Sequence, residues 1–110
     1  MKLPNRENAY IPPAKLKGYL LSETHVDGRS KARFFRAFGY DEANVELLER
    51  GLLLIARNQE VHEEVVSQFG IKYVIDGSLQ TPSGRTINSR TVWIIEEGEE
   101  HPRFVTAVPN

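Results

Sequence analysis

The chain has 110 residues, enough for one hydrophobic core and too few for two. Its 14 lysines and arginines against 15 aspartates and glutamates give a net charge of −1, without the basic excess of a dedicated nucleic-acid binder. The absence of cysteine excludes disulfides, thiolate metal sites and a cysteine nucleophile.

No run approaches the roughly 18 apolar residues of a membrane helix, and Met1–Asn5 carries no secretory apolar region. A single cytoplasmic domain without membrane attachment is expected. The charge is unevenly placed, however. Lys15, Lys17, Arg29, Lys31, Arg33 and Arg36 crowd the first third, whereas Asp41 to Glu64 is dominated by carboxylates. The basic stretch suits a phosphate-attracting patch, or two solvated helix faces.

Asn8 to Pro12 reads as an extended lead-in. Pro13 fits the first turn of a helix running to about Ser22, with Leu16, Tyr19 and Leu20 as its buried stripe. A loop bearing His25 leads to a second helix over about Arg29–Phe38, closed by Gly39 as a left-handed cap. Helical spacing puts Lys31 beside Phe34, Phe35 and Phe38 on the core-facing stripe, and sends Arg33 and Arg36 to the wet side. The third helix starts at the N-cap Asp41, with Tyr40 stapled to Val45, and carries its apolar stripe through Leu48, Leu52, Ile55 and Ala56 to about Asn58. Residues 60–68 fit either a continued or separate short helix or a loop.

After Gly70 the apolar period falls to two, predicting a strand to about Leu79. Thr81–Gly84 is a turn. A second strand, Arg85–Glu96, is apolar on both faces at Val92–Ile95 and so is expected to be central. A polar hairpin leads to a third strand, Arg103–Val108. The fold class is therefore α+β, with about three N-terminal helices before a three- to four-stranded antiparallel sheet.

Metal and nucleotide motifs are incomplete. His62-Glu63-Glu64 lacks the second histidine of a zinc helix, His25, His62 and His101 are not at ligand spacing, and Gly84 opens no phosphate loop. No metal or cofactor is expected. The remaining chemistry is cationic and hydroxylic. His25 suits acid–base work near neutral pH. Lys31 is either a partly desolvated cation or a side chain snorkelling to water. Arg90 and Arg103 on the strands can grip a phosphate or form a solvated face, and alternation sets Arg103 and Thr106 on opposite sides of the last strand.

The ordered set Leu3–Asn5 (L-P-N), Lys15–Leu21 (K-L-x-x-Y-L-L), His25–Lys31 (H-x-x-G-x-x-K) with the phenylalanines behind it, Pro82–Arg85 (P-x-G-R), Thr91–Trp93 (T-x-W) and Pro102–Pro109 (P-R-x-x-T-x-x-P) resembles an uncharacterised bacterial family, domain of unknown function 6883. Related domains end polymorphic and contact-dependent inhibition toxins. Those toxin forms are similar to the barnase, EndoU, colicin and RelE group, in which helices precede an antiparallel sheet that cuts RNA without metal. The resemblance implies phosphodiester cleavage by the RNA 2′-hydroxyl. His25 would serve as acid or base, Lys31 as electrostatic stabiliser or proton donor, and Thr106 as positioner, with Arg85, Arg90 and Arg103 as phosphate grips. The implied partners are RNA and a cognate antitoxin or immunity-type protein. A non-catalytic protein-binding module and an RNA-binding domain without cleavage stay open beside it.

Overall fold

The computed structural model describes all of residues 1–110. Three helical segments precede a four-stranded antiparallel sheet, an α+β fold. α1 is Pro13–Lys15 and passes directly into a π-helical turn, Leu16–Leu20; α2 is Arg29–Ala37 and α3 is Val45–Asn58. The strands β1 (Glu63–Ser67), β2 (Gly70–Gln80), β3 (Thr86–Glu96) and β4 (Arg103–Pro109) lie in the order β1-β2-β3-β4. No helix is long and apolar enough to cross a membrane.

The odd-numbered residues of β2 and β3 face the helices. Tyr73, Ile75, Leu79, Ile87, Thr91 and Trp93 are all buried there. α3 lies close over β2 because two glycines leave room: a Cβ on Gly77 would come within 2.8 Å of Ile55, and one on Gly51 within 2.7 Å of Leu79. Trp93 packs edge-on against Phe104 at 5.2 Å between ring centroids. Its Nε1–H donates to Thr91 Oγ1 at 2.9 Å, and that hydroxyl donates to the Ile75 carbonyl at 2.7 Å. The T-x-W motif is thus a buried polar relay that satisfies the indole, and Trp93 belongs to the core.

Asp41 caps as expected, accepting from Ala43 N–H at 2.8 Å while Asn44 returns a bond to Asp41 N–H at 2.9 Å, but the first turn it caps is a short 3₁₀ segment, Glu42–Asn44. Gly39 adopts φ +100°, the left-handed closure that helix ends favour.

Four expectations need correction. Residues 60–68, taken for helix or loop, contain the edge strand β1, paired with β2 from Glu63↔Val74 to Ser67↔Gly70. All five of its residues are exposed, so no alternation of apolar and polar marks it. The first helix is one α turn followed by a π turn, in which Leu21 N–H reaches back to the Leu16 carbonyl at 2.8 Å. The stripe of α2 is centred on Ala32 and Phe35, the only two of its residues that are fully buried. Arg36, one turn beyond Ala32, therefore borders the core rather than facing water. Its guanidinium donates to the Leu21 carbonyl and pairs with Glu23 and Glu42. Finally, Val92 pairs with Thr106 but Trp93 with Phe104, leaving Val105 as an extra residue. That bulge interrupts the expected plain alternation, and the two side chains go to different partners: Arg103 to Glu96, Thr106 to the Tyr19 hydroxyl.

Candidate functional site

Tyr19, assigned from the sequence to the buried stripe, is half-buried at the surface where α2 and the α1–π segment meet β4. Four polar side chains converge on it. Its hydroxyl is hydrogen-bonded to Thr106 Oγ1 at 2.9 Å. The His25 ring stands edge-on to the phenol, 5.1 Å away at 83°. Lys15 Nζ lies 4.8 Å from the ring centroid and Lys31 Nζ 5.4 Å from it. Three candidates from the sequence, His25, Lys31 and Thr106, thus meet around one phenol. Tyr19 and Lys15 are the members that sequence reasoning passed over. Both lie in K-L-x-x-Y-L-L, and the signal was masked because a tyrosine at helical spacing reads first as core.

Local structure accounts for the convergence. The π turn inserts an extra residue per turn, which rotates Tyr19 away from the stripe formed by Leu16 and Leu20. Gly28 begins α2 directly against it: a Cβ there would sit 2.3 Å from the Tyr19 carbonyl oxygen. That contact is the physical reason for glycine in H-x-x-G-x-x-K. Three residues on, Lys31 donates to the Asp27 carbonyl at 3.1 Å and lies along the phenol.

His25 is fixed by the same turn. Its Nδ1 accepts from the backbone N–H groups of Asp27 and Gly28, both at 3.1 Å. An acceptor Nδ1 leaves the ring proton on Nε2. In this arrangement His25 offers an N–H donor rather than a base.

The electrostatics favour an anion. Lys15, Lys17, Arg29, Lys31 and Arg33 take part in no ion pair, whereas Arg36, next along the chain, is neutralised by Glu23 and Glu42. Five uncompensated cations in nineteen residues of chain raise the local potential despite the slightly acidic total.

The sheet arginines lie elsewhere. Arg90 grips Asp76 with two bonds, Nε to Oδ1 at 2.7 Å and a terminal nitrogen to Oδ2 at 2.8 Å, on the sheet face away from the helices. Arg103 pairs with Glu96, donating from Nε at 3.0 Å. Arg85 is exposed after the Thr81–Gly84 turn, which is anchored to the end of α2 through Ser83 N–H and the Phe38 carbonyl at 3.0 Å.

The Arg90 hydrogen bonds hold the Asp76 carboxyl below its usual value of 3.8. A carboxylate depressed in the folded state contributes stability that is full above the unfolded value of about 3.9 and is lost as pH falls through the folded one. Asp76→Asn is therefore expected to melt earlier than the wild type at neutral pH, with the gap closing below about pH 4. Thermal midpoints across an acid series check this; a gap that stays constant with pH would deny the pair its role.

A chain of the contact-dependent growth inhibition toxin–immunity protein complex from Klebsiella pneumoniae 342 has a similar structure, with a TM-score of 0.73 at 16% sequence identity over 96% of each chain. At that identity the likeness is one of fold. No curated protein matches the sequence. The family described as "Domain of unknown function (DUF6883)" matches residues 2–110, and the chain belongs to it.

Proposed function

We propose that the domain is a ribonuclease-like toxin module that cleaves RNA by attack of the 2′-hydroxyl on the adjacent phosphodiester, working in the cytoplasm. The convergence of His25, Lys31 and Thr106 on Tyr19, ringed by unpaired cations, carries this reading. Attack forms the 2′-oxygen–phosphorus bond and breaks the bond to the 5′-oxygen. The 2′ proton must leave and the 5′-oxygen must gain one. Lys31 and Lys15 supply fixed positive charge for the oxygens that become negative in the transition state. Lys31 protonates the departing 5′-oxygen, His25 takes up the 2′ proton, and the hydrogen-bonded Tyr19–Thr106 hydroxyls position the phosphate. Use of His25 as a base requires Nδ1 to give up its two backbone donors, which a substrate-induced opening of residues 25–28 would permit. Arg90 and Arg103 act in the fold through their carboxylates, and Arg85 alone of the three sheet-side arginines is free of an ion pair.

A second reading is favoured by the neighbour of similar fold, whose solved form is a complex of toxin and immunity protein. In that reading the domain binds a cognate partner protein, as toxin or as immunity protein.

The test is purified protein incubated with total RNA in excess chelator, beside Tyr19→Phe and His25→Ala. New fragments ending in 2′,3′-cyclic phosphate are expected from the wild type alone or in large excess over the variants. Intact RNA at high protein concentration ends the nuclease reading. Cleavage untouched by both substitutions removes this site. RNA retained on the protein without fragments identifies a binding domain.

A further inference from the structure

The sheet has an opening that the Tyr19 site does not use. β1 covers β2 only from Gly70 to Val74, and the last bond across that edge runs from His62 N–H to the Val74 carbonyl at 2.7 Å. Backbone groups of a strand residue point to the same side, and the side alternates along the strand. Since those of Val74 point toward β1, those of Asp76, Ser78 and Gln80 point the same way, where no strand lies. The chain has already left this edge: Val61 N–H bonds instead to the Met1 carbonyl at 2.7 Å, and Lys2 bridges Glu60. The vacant stretch ends at Thr81-Pro82, where a proline can continue no ladder. It is five residues long, about 17 Å of strand.

Beside it runs a groove of about 460 Å³, between this edge and α3. Leu79 and Ile55 lie along its floor, and Leu47 and Leu54 are 43% and 51% exposed above them. Arg50 lines the same groove and is in no ion pair. Natural sheets blunt such edges with lysine, proline or a bulge. Residues 76–80 (D-G-S-L-Q) carry no lysine, proline or bulge, and their one charged side chain, Asp76, is paired with Arg90.

We propose that the β2 edge at Asp76–Gln80 and the α3 groove together form a docking slot for an extended strand of another protein. The occupant follows from the slot. Main-chain donors and acceptors repeating about every 7 Å are matched by another extended backbone and not by a helix or a globular face. Side chains at alternate positions of that strand fall on Leu47, Leu54 and Leu79 and are apolar. One between them is acidic, to meet Arg50. The slot lies over β2, whereas Tyr19 lies at β4, so a strand held here leaves the Tyr19 surface open. Binding in the slot is independent of whether the domain cuts RNA.

The probe is a capped peptide, Thr-Val-Thr-Glu-Thr-Val-Thr, titrated to millimolar concentration into ¹⁵N-labelled protein. Amide shifts are expected at Asp76–Gln80 and on the groove side of α3, with none around Tyr19. Leu54→Asp, a change at a half-exposed position, is expected to weaken binding at least tenfold while leaving the spectrum folded. Arg50→Glu is expected to reject this peptide and to accept its lysine counterpart. A version N-methylated on the amides that face β2 should not bind. Absence of shifts at millimolar peptide overturns the proposal, as does binding unchanged by Leu54→Asp. Sedimentation that finds a wild-type dimer split by Leu54→Asp also overturns it, because the edge is then filled by a second copy.

Discussion

Alanine in place of Lys31 is expected to lower RNA cleavage about 100- to 1,000-fold, the cost of losing one preorganised charge or donor aimed at a developing oxyanion. Lys31 has no carboxylate partner, so its charge is not spent within the fold. Its single hydrogen bond, to the Asp27 carbonyl at 3.1 Å, orients the ammonium along Tyr19 without neutralising it. A charge that acts on the transition state lowers kcat, and ground-state binding of RNA falls much less. Lys17→Ala is the control. That lysine is equally unpaired and more exposed, but lies over no part of the Tyr19 ring, so its loss should weaken RNA binding and its salt dependence slightly and leave kcat alone. Stability should hardly change in either variant, because neither ammonium is buried. Equal rates for Lys31→Ala and wild type at saturating RNA would dismiss the role. A matched fall in both lysine variants would reduce Lys31 to one more member of a diffuse basic patch.

The parts of this arrangement that were legible in the sequence are those in which one residue type has one physical use. Asp41, Gly39 and the change of period after Gly70 announced their structures because caps, left-handed turns and alternating strands each have a local chemical signature. Val92–Ile95, apolar on both faces, announced a strand with neighbours on either side, and β3 pairs with both β2 and β4. β1 was not legible because an exposed edge strand has no buried face to write a pattern. The position of Arg36 was misjudged because the α2 stripe was drawn through its phenylalanines. The deepest positions are Ala32 and Phe35, and an alanine contributes little to a pattern read by bulk.

The site was half legible for a similar reason. His25 and Lys31 stood out as chemistry next to apolar residues, and Thr106 entered through the family motif. That they should meet on Tyr19 depends on two features without a local signature, the π turn of Leu16–Leu20 and the insertion of Val105 into β4. Arg90 and Arg103 illustrate the converse. An arginine on a strand reads as a free grip until the register sets a carboxylate beside it, and Asp76↔Arg90 is a register pair joining residues fourteen positions apart.

Gly28→Ala is expected to destabilise the domain by about 1–3 kcal/mol, the usual penalty for overpacking, and to disable the site along with it. The backbone is not the obstacle, since φ −95° and ψ −20° at Gly28 are open to any residue. The obstacle is space. The added methyl would stand 2.3 Å from the Tyr19 carbonyl oxygen, 3.0 Å from its carbonyl carbon and 3.2 Å from the ring, and a backbone carbonyl cannot swing aside as a flexible side chain can. Relief requires α2 to slide off the π turn. That movement separates His25 and Lys31 from Tyr19, because His25 Nδ1 is bonded to Gly28 N–H itself and Lys31 lies one turn further along the helix. Gly18→Ala is the comparison within the same π turn. A Cβ there meets only the Ala14 methyl, at an ordinary 4.0 Å. It should be neutral or stabilising by roughly 0.5 kcal/mol, by removing freedom from the unfolded chain. Denaturant midpoints should therefore move in opposite directions for two glycine-to-alanine changes ten residues apart. Tyrosine fluorescence or an aromatic NMR spectrum should report a displaced Tyr19 in Gly28→Ala alone. A Gly28→Ala protein with wild-type stability and an unmoved Tyr19 signal would mean that α2 does not rest on the π turn, and the assembly of the site would need another cause.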